Sequence, residues 1–149
     1  MSFKSIFLIM MLATGFDARS AQAQVISNVI AISFGEMVVG GIGDVTIPSN
    51  LDSRSATGAV ALVGLALVER GRVDVTYTPG AQVIISVPSS LVMTGANTPT
   101  LTPTIDGGTI QTIPPGGILT IHFGGTINFP TFGATGLASV VVPVTVDPL

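Results

Sequence analysis

The chain of 149 residues has no cysteine, one histidine, and only five lysines and arginines. Without cysteine there is no disulfide framework, no thiol nucleophile and no thiolate metal site. The lone His122 cannot furnish a zinc site by itself. As the base of a triad it would need a nucleophile beside it, and no G-x-S-x-G elbow occurs. It alternates with Ile121 and Phe123, so the expectation is a solvated strand residue. Charge is scarce too, at 9% of the chain, against about 25% in ordinary soluble domains. Disorder does not account for this, because disordered chains are poor in the β-branched residues that are dense here. A surface with so few charges has little to keep copies of the chain apart.

No apolar run is long enough to span a membrane, and the one at the start has flanks of its own kind. There, Lys4 precedes the run Ile6-Phe7-Leu8-Ile9-Met10-Met11-Leu12-Ala13, and Ala21-Gln22-Ala23 follows as an A-x-A site. This is the n-, h- and c-region order of a secretory signal peptide cleaved after Ala23. Gly15, Asp17 and Arg19 end the run well short of the roughly 20 residues a spanning helix needs. The reading is a signal peptide over 1–23 and a single domain over 24–149, with no transmembrane span in the mature chain. The mature part carries Arg54, Arg70 and Arg72 and no lysine, against Glu36, Asp44, Asp52, Glu69, Asp74, Asp106 and Asp147. Such a balance leaves no positive surface for a phosphate backbone or an anionic bilayer, which argues against nucleic acid and against anionic lipid as partners.

What is present is Val, Ile and Thr in short alternating pieces, punctuated by Gly and Pro, the pattern of β-strands. Residues 25–34 alternate with Asn28 as the exception. Gly40-Gly41-Ile42-Gly43 reads as a break before a short strand over 44–47. Residues 59–67 are apolar on both faces and read as a buried strand, with a helical turn as the alternative that periodicity leaves open. Residues 72–87, with Pro79-Gly80 as the turn, read as the clearest hairpin. Residues 101–105 and 109–113 flank Asp106-Gly107-Gly108 as a second. Gly124-Gly125 reads as an interruption between two strands, and residues 139–146 as a closing strand with Val140, Val142, Val144 and Val146 on one face and Pro143 within it. No capped amphipathic helix appears. Recurring strands and turns predict an all-β, antiparallel β-sandwich of Greek-key type, with a barrel as the alternative and with Ile85, Val87, Leu119, Ile121, Val142 and Val144 inward.

The remaining candidate sites are thin. Asp44, Asp52 and Asp106 read as turn caps; calcium is their functional alternative, but no D-x-D-x-D-G loop supports it. Gly40-Gly41-Ile42-Gly43 lacks the lysine and helix of a phosphate loop. Glu69, Arg70 and Arg72 read as a solvated loop before a strand. Phe34, Tyr77, Phe123 and Phe129 fall at inward positions, which leaves Phe132 as the aromatic for surface contact. No catalytic residue, cofactor or metal site is assigned.

Several pieces together resemble the domain of unknown function 4402 family of secreted Gram-negative proteins. They are Phe34-Gly35, Gly41, Val45-Thr46-Ile47, Arg54, Thr57-Gly58, Val60 and Leu62. To these add Val73-Asp74-Val75-Thr76 through Pro79-Gly80 to Ile85-Ser86-Val87-Pro88, the segment Leu119-Thr120-Ile121-His122-Phe123-Gly124-Gly125-Thr126-Ile127, and Val142-Pro143-Val144-Thr145-Val146. The chain departs from the family's pattern at Pro143 and in closing on Asp147-Pro148-Leu149. The resemblance implies an exported immunoglobulin-like sandwich, more loosely a pilin-like subunit, and carries no catalytic residues. The expectation is an exported, non-catalytic structural subunit of a surface filament or coat. It would lie in the periplasm, at the outer-membrane surface or outside the cell. Self-association would use the N-terminal segment or a sheet edge, with a periplasmic chaperone as a second candidate partner. The alternative is a monomeric extracellular binding or adhesin module.

Overall fold

A computed structural model describes residues 23–64, 67–93, 98–131 and 135–149, with only the backbone described for 135–137. Most of the signal-peptide segment and Phe132 therefore lie outside the described residues. The strands are β1 (Val25–Ile30), β2 (Ile32–Ile47), β3 (Ser55–Leu62), β4 (Val68–Glu69), β5 (Gly71–Thr76) and β6 (Gln82–Ser86). They continue as β7 (Leu91–Val92), β8 (Thr100–Ile105), β9 (Ile110–Thr112), β10 (Ile118–Phe129), β11 (Thr135–Val140) and β12 (Thr145–Pro148). Every pairing is antiparallel. The larger sheet runs β1-β5-β10-β2-β11, with β3 and β4 along β2 and β7-β8 along β10; the smaller is β12-β6-β9. The fold is the all-β antiparallel sandwich that the alternation predicts.

Period-two alternation drives it, because one face of each sheet must leave water. Phe34, Val45, Ile47, Val75, Val83, Ile85, Leu101 and Ile127 are all fully buried. Of the six residues expected inward, Ile85, Leu119, Ile121 and Val142 are buried, and Val87 and Val144 are partly buried against the same core. Phe34, Phe123 and Phe129 are buried and Tyr77 packs on the core, as expected of the aromatics.

Neither expected hairpin forms. β5 pairs with β1 and β10 in the large sheet, whereas β6 pairs with β12 and β9 in the small one. The Pro79-Gly80 turn is an arch between sheets, so Val73 and Val75 lie across the core from Val83 and Ile85. Its backbone bonds go to the 113–117 segment, with Tyr77 N–H donating to Gly117 O and Gly80 N–H to Ile113 O. The Asp106-Gly107 turn likewise carries the chain from β8 in the large sheet to β9 in the small one. A turn between two alternating strands suits both outcomes. What differs is whether the apolar faces lie side by side or face each other.

Two expected breaks are continuous strand. Gly40, Gly41 and Ile42 are a bulge inside the 16-residue β2, between the pairs Val39↔Val60 and Gly43↔Gly58. β10 runs through Gly124-Gly125 without interruption. A Cβ on Gly124 would overlap the backbone of Ile47, Pro48 and Ser49, and one on Gly125 would lie 2.8 Å from Leu101 Cδ1 and 2.9 Å from Thr102 O. The glycines are there for close backbone approach.

The segment 59–67 is expected to be buried, but its described residues, 59–64 and 67, are largely exposed. It belongs mostly to β3, which lies on the outer edge of β2 and packs only Ala56 and Val60 on the core. The closing segment is two strands. β11 ends at Val140 in the large sheet and β12 starts at Thr145 in the small one, with Pro143 in the four residues between. Proline lacks the ladder donor, so the chain leaves one sheet there.

Candidate functional site

Two features stand apart from the packing of the sandwich: the N-terminal edge strand, and a polar pocket on the outer face of β5 and β10.

β1 is the end strand of the large sheet and pairs only with β5, as Val25↔Thr76, Ile26↔Val75, Ser27↔Asp74 and Ile30↔Arg72. A bulge separates Ser27 from Ile30, and Asn28 within it has φ 50°, the left-handed region that Asn tolerates best after Gly. The bulge breaks the expected single face of residues 25–34. Ile32 and Phe34 are buried, whereas Ile26 remains 40% exposed. No β1 side chain enters the core. Its side-chain tether is Asn28, whose Nδ2 donates to Asp74 Oδ2 at 2.7 Å. Just before it, Gln24 Nε2 donates to Val146 O at 2.7 Å. Thr120 Oγ1 donates to Asp74 Oδ1 at 2.8 Å. The bonds from Asn28 and then Thr120 favour the charged carboxylate and hold the Asp74 pKa below the ordinary value.

One row along the same face, Arg72 of β5 pairs with His122 of β10. Asp52, Glu69 and Arg70 complete a pocket of about 180 Å³. Arg70 is pinned. Its Nε lies 3.5 Å from Asp52 Oδ1, its Nη1 donates to Ser49 O at 3.2 Å, and its backbone N–H donates to Asp52 Oδ1 at 3.0 Å. Arg72 is not. Among the described residues its guanidinium has no hydrogen-bond or ion-pair partner, and its Nε is closed off from solvent. His122 Nδ1 is closed off and unpaired as well. Leaving a buried donor unpaired costs about 1–3 kcal/mol. Burial first, and then the Arg70 charge, push the His122 pKa below its ordinary value.

The expectation of solvated positions for His122, Arg70 and Arg72 is thus corrected: all three are half-buried and grouped. Glu69 is exposed, in β4 rather than a loop. The grouping escapes sequence reading because the β5–β10 register and the position of the Asp52 loop come from tertiary structure. Asp44, Asp52 and Asp106 are not brought together. Asp44 accepts from Asn128 Nδ2 at 2.7 Å across β2 and β10, and Asp106 sits in the β8–β9 arch, where its carbonyl accepts from Gln111 Nε2 at 2.8 Å.

Arg54 acts as a clamp on the backbone. Its Nη1 donates to Phe34 O at 2.6 Å and Glu36 O at 2.8 Å, and its Nη2 to Val63 O at 3.0 Å and Gly64 O at 2.7 Å. The terminal donors are taken up by carbonyls of β2 and of the segment after β3, which holds that edge in place. A cavity of about 530 Å³ beside it is lined by Asp52, Ser53, Leu62 and Val68.

These features define an all-β sandwich domain whose first strand is attached from outside the core. The chain belongs to the family described as Domain of unknown function (DUF4402), whose model matches residues 25–147. No curated protein and no solved structure matches it.

Proposed function

We propose that the chain is an exported, non-catalytic structural subunit of a cell-surface filament or coat, and that it assembles by β-strand addition through its N-terminal segment. The carrying observation is β1, an end strand without charge or proline, joined to β5 by backbone pairing and contributing nothing to the core. Edge strands of this kind are templates for pairing with another chain. A β1 from a second copy can make the same pairs with β5, so exchange replaces like contacts with like and leaves few contacts to break. Scarce charge supports the reading, since little electrostatic repulsion opposes stacking of copies. A periplasmic chaperone is the partner that would cover the β5 edge before β1 is in place.

The second reading, a monomeric extracellular binding module, is favoured by the polar pocket around Arg72 and His122. The absence of cysteine makes a clean test. Val25→Cys with Thr76→Cys places one thiol on each strand of the pair Val25↔Thr76. Oxidised surface material should run as a covalent ladder on a non-reducing gel if β1 is donated between copies. Internally bridged monomer alone would reject strand donation and leave the binding-module reading.

A further inference from the structure

We propose that the pocket bounded by Asp52, Glu69, Arg70, Arg72 and His122 binds a small oxyanion, a carboxylate or a phosphate group, with Arg72 and His122 as the recognising residues. The inference is independent of how the subunit assembles.

Three observations carry it. The described residues hold three arginines and one histidine, and two of those arginines and the histidine meet at this one pocket. The three arginines then differ in what they hold. Arg54 directs its terminal donors at carbonyls, Arg70 is held by Asp52 and Ser49, and Arg72, whose charge acts on Asp74 through space, has no hydrogen-bond or ion-pair partner among the described residues. A guanidinium keeps its charge at any physiological pH and presents a planar fork that matches an oxyanion. Finally, Arg72 Nε and His122 Nδ1 are cut off from water without a protein acceptor or donor to replace it. Those two atoms are closed off, so a ligand in the pocket would meet the outer nitrogens of Arg72 and His122, which have no hydrogen-bond partner among the described residues.

The remaining groups set the strength and size of the site. Asp52 is already engaged by Arg70. Glu69 has no such partner among the described residues and opposes an incoming anion. A pocket of about 180 Å³ suits one compact headgroup rather than an extended chain. Asp106, through its charge, is the further acid that acts on His122. With the ring pKa below its ordinary value, His122 is neutral at pH 7 and donates from one nitrogen, and protonation in acid adds a second donor and a charge.

The test is a titration of the full exported domain with sodium acetate and, separately, sodium phosphate, followed by the NMR signals of the single His122 ring. Sodium chloride at matched ionic strength is the control. A saturable shift with either anion, absent with chloride, is expected; acetate alone would assign a carboxylate ligand and phosphate alone a phosphate. Arg72→Gln should weaken binding about tenfold or more, the worth of a charge-assisted hydrogen bond. Glu69→Gln should strengthen it severalfold, a change that loss of folding cannot imitate. Shifts that never saturate, an affinity unchanged by Arg72→Gln, or one not raised by Glu69→Gln would each overturn the proposal.

Discussion

At Gly124 two backbone segments pass close together. β10 passes the end of β2 there, and the chain at Ile47, Pro48 and Ser49 occupies the space of a Cβ. Backbone cannot rotate away as a flexible side chain can, so Gly124→Ala should cost about 1–3 kcal/mol or more, the range for overpacking. Gly116 is the internal control. Its Cβ would meet open space and its φ is not positive, so Gly116→Ala should fall within about ±0.5 kcal/mol. Urea midpoints of the two variants measure the difference, and equal midpoints would count against the close approach at Gly124. Arg54 is also a residue whose role its sequence context hides. It follows a polar loop and looks like a surface cation, yet its fork reaches carbonyls of residues 34, 36, 63 and 64. Sequence separation between donor and acceptors, not residue type, conceals the contact.

At the scale of the strand, alternation tells inside from outside at most positions: Val73, Val75, Val83, Ile85, Leu119 and Ile121 are all buried. It cannot tell which strand is whose neighbour. β5 and β6 carry the same signal whether a turn pairs them or sets them face to face, and only the competing claims of β1, β10, β9 and β12 decide. Bulges escape the pattern for a related reason, since glycine in a strand serves both a break and a close approach. The β1–β5 pair also links strand position to pH. Asp74 has a folded pKa below its unfolded one, because Asn28 and Thr120 donate to its charged form. Stability from these bonds is therefore present above about pH 4 and is lost as the pH falls through the lower, folded value. Asp74→Asn cannot lose a charge, so its urea midpoint should fall less between pH 6 and about pH 3 than that of the parent chain. The effect is small, because Asp74 is only partly shielded from water. Identical acid sensitivity of the two proteins would remove Asp74 from the account.

For the molecule as a whole, the open edges decide which contacts a second copy can make. β1 and β11 end the main path of the large sheet, β3 and β7 leave further outer edges on it, and β12 and β9 flank the small one. These ends are not equally protected. Pro143 leaves the chain between β11 and β12 without a ladder donor, and Pro148 sits in β12 itself. β1 shares the lack of proline and charge with β3, β7, β9 and β11, but it is joined to β2 by one residue, Ala31, and its side chains lie outside the core, so it can leave without unpacking the interior. Removing it should expose the β5 edge while leaving the apolar interior intact. The 24–31 deletion variant is therefore expected to fold, because the buried residues begin at Ile32, and to form no higher-order species, because it has lost the donated strand. Pro143→Thr returns a ladder donor to the chain between the sheets and should leave assembly intact or increase it. Size-exclusion profiles of the two variants, with circular dichroism to establish folding, distinguish the outcomes. A folded deletion variant that still assembles would show that the donor is another edge. A deletion variant that stays monomeric but takes up added peptide spanning residues 24–31 would identify β5 as the acceptor.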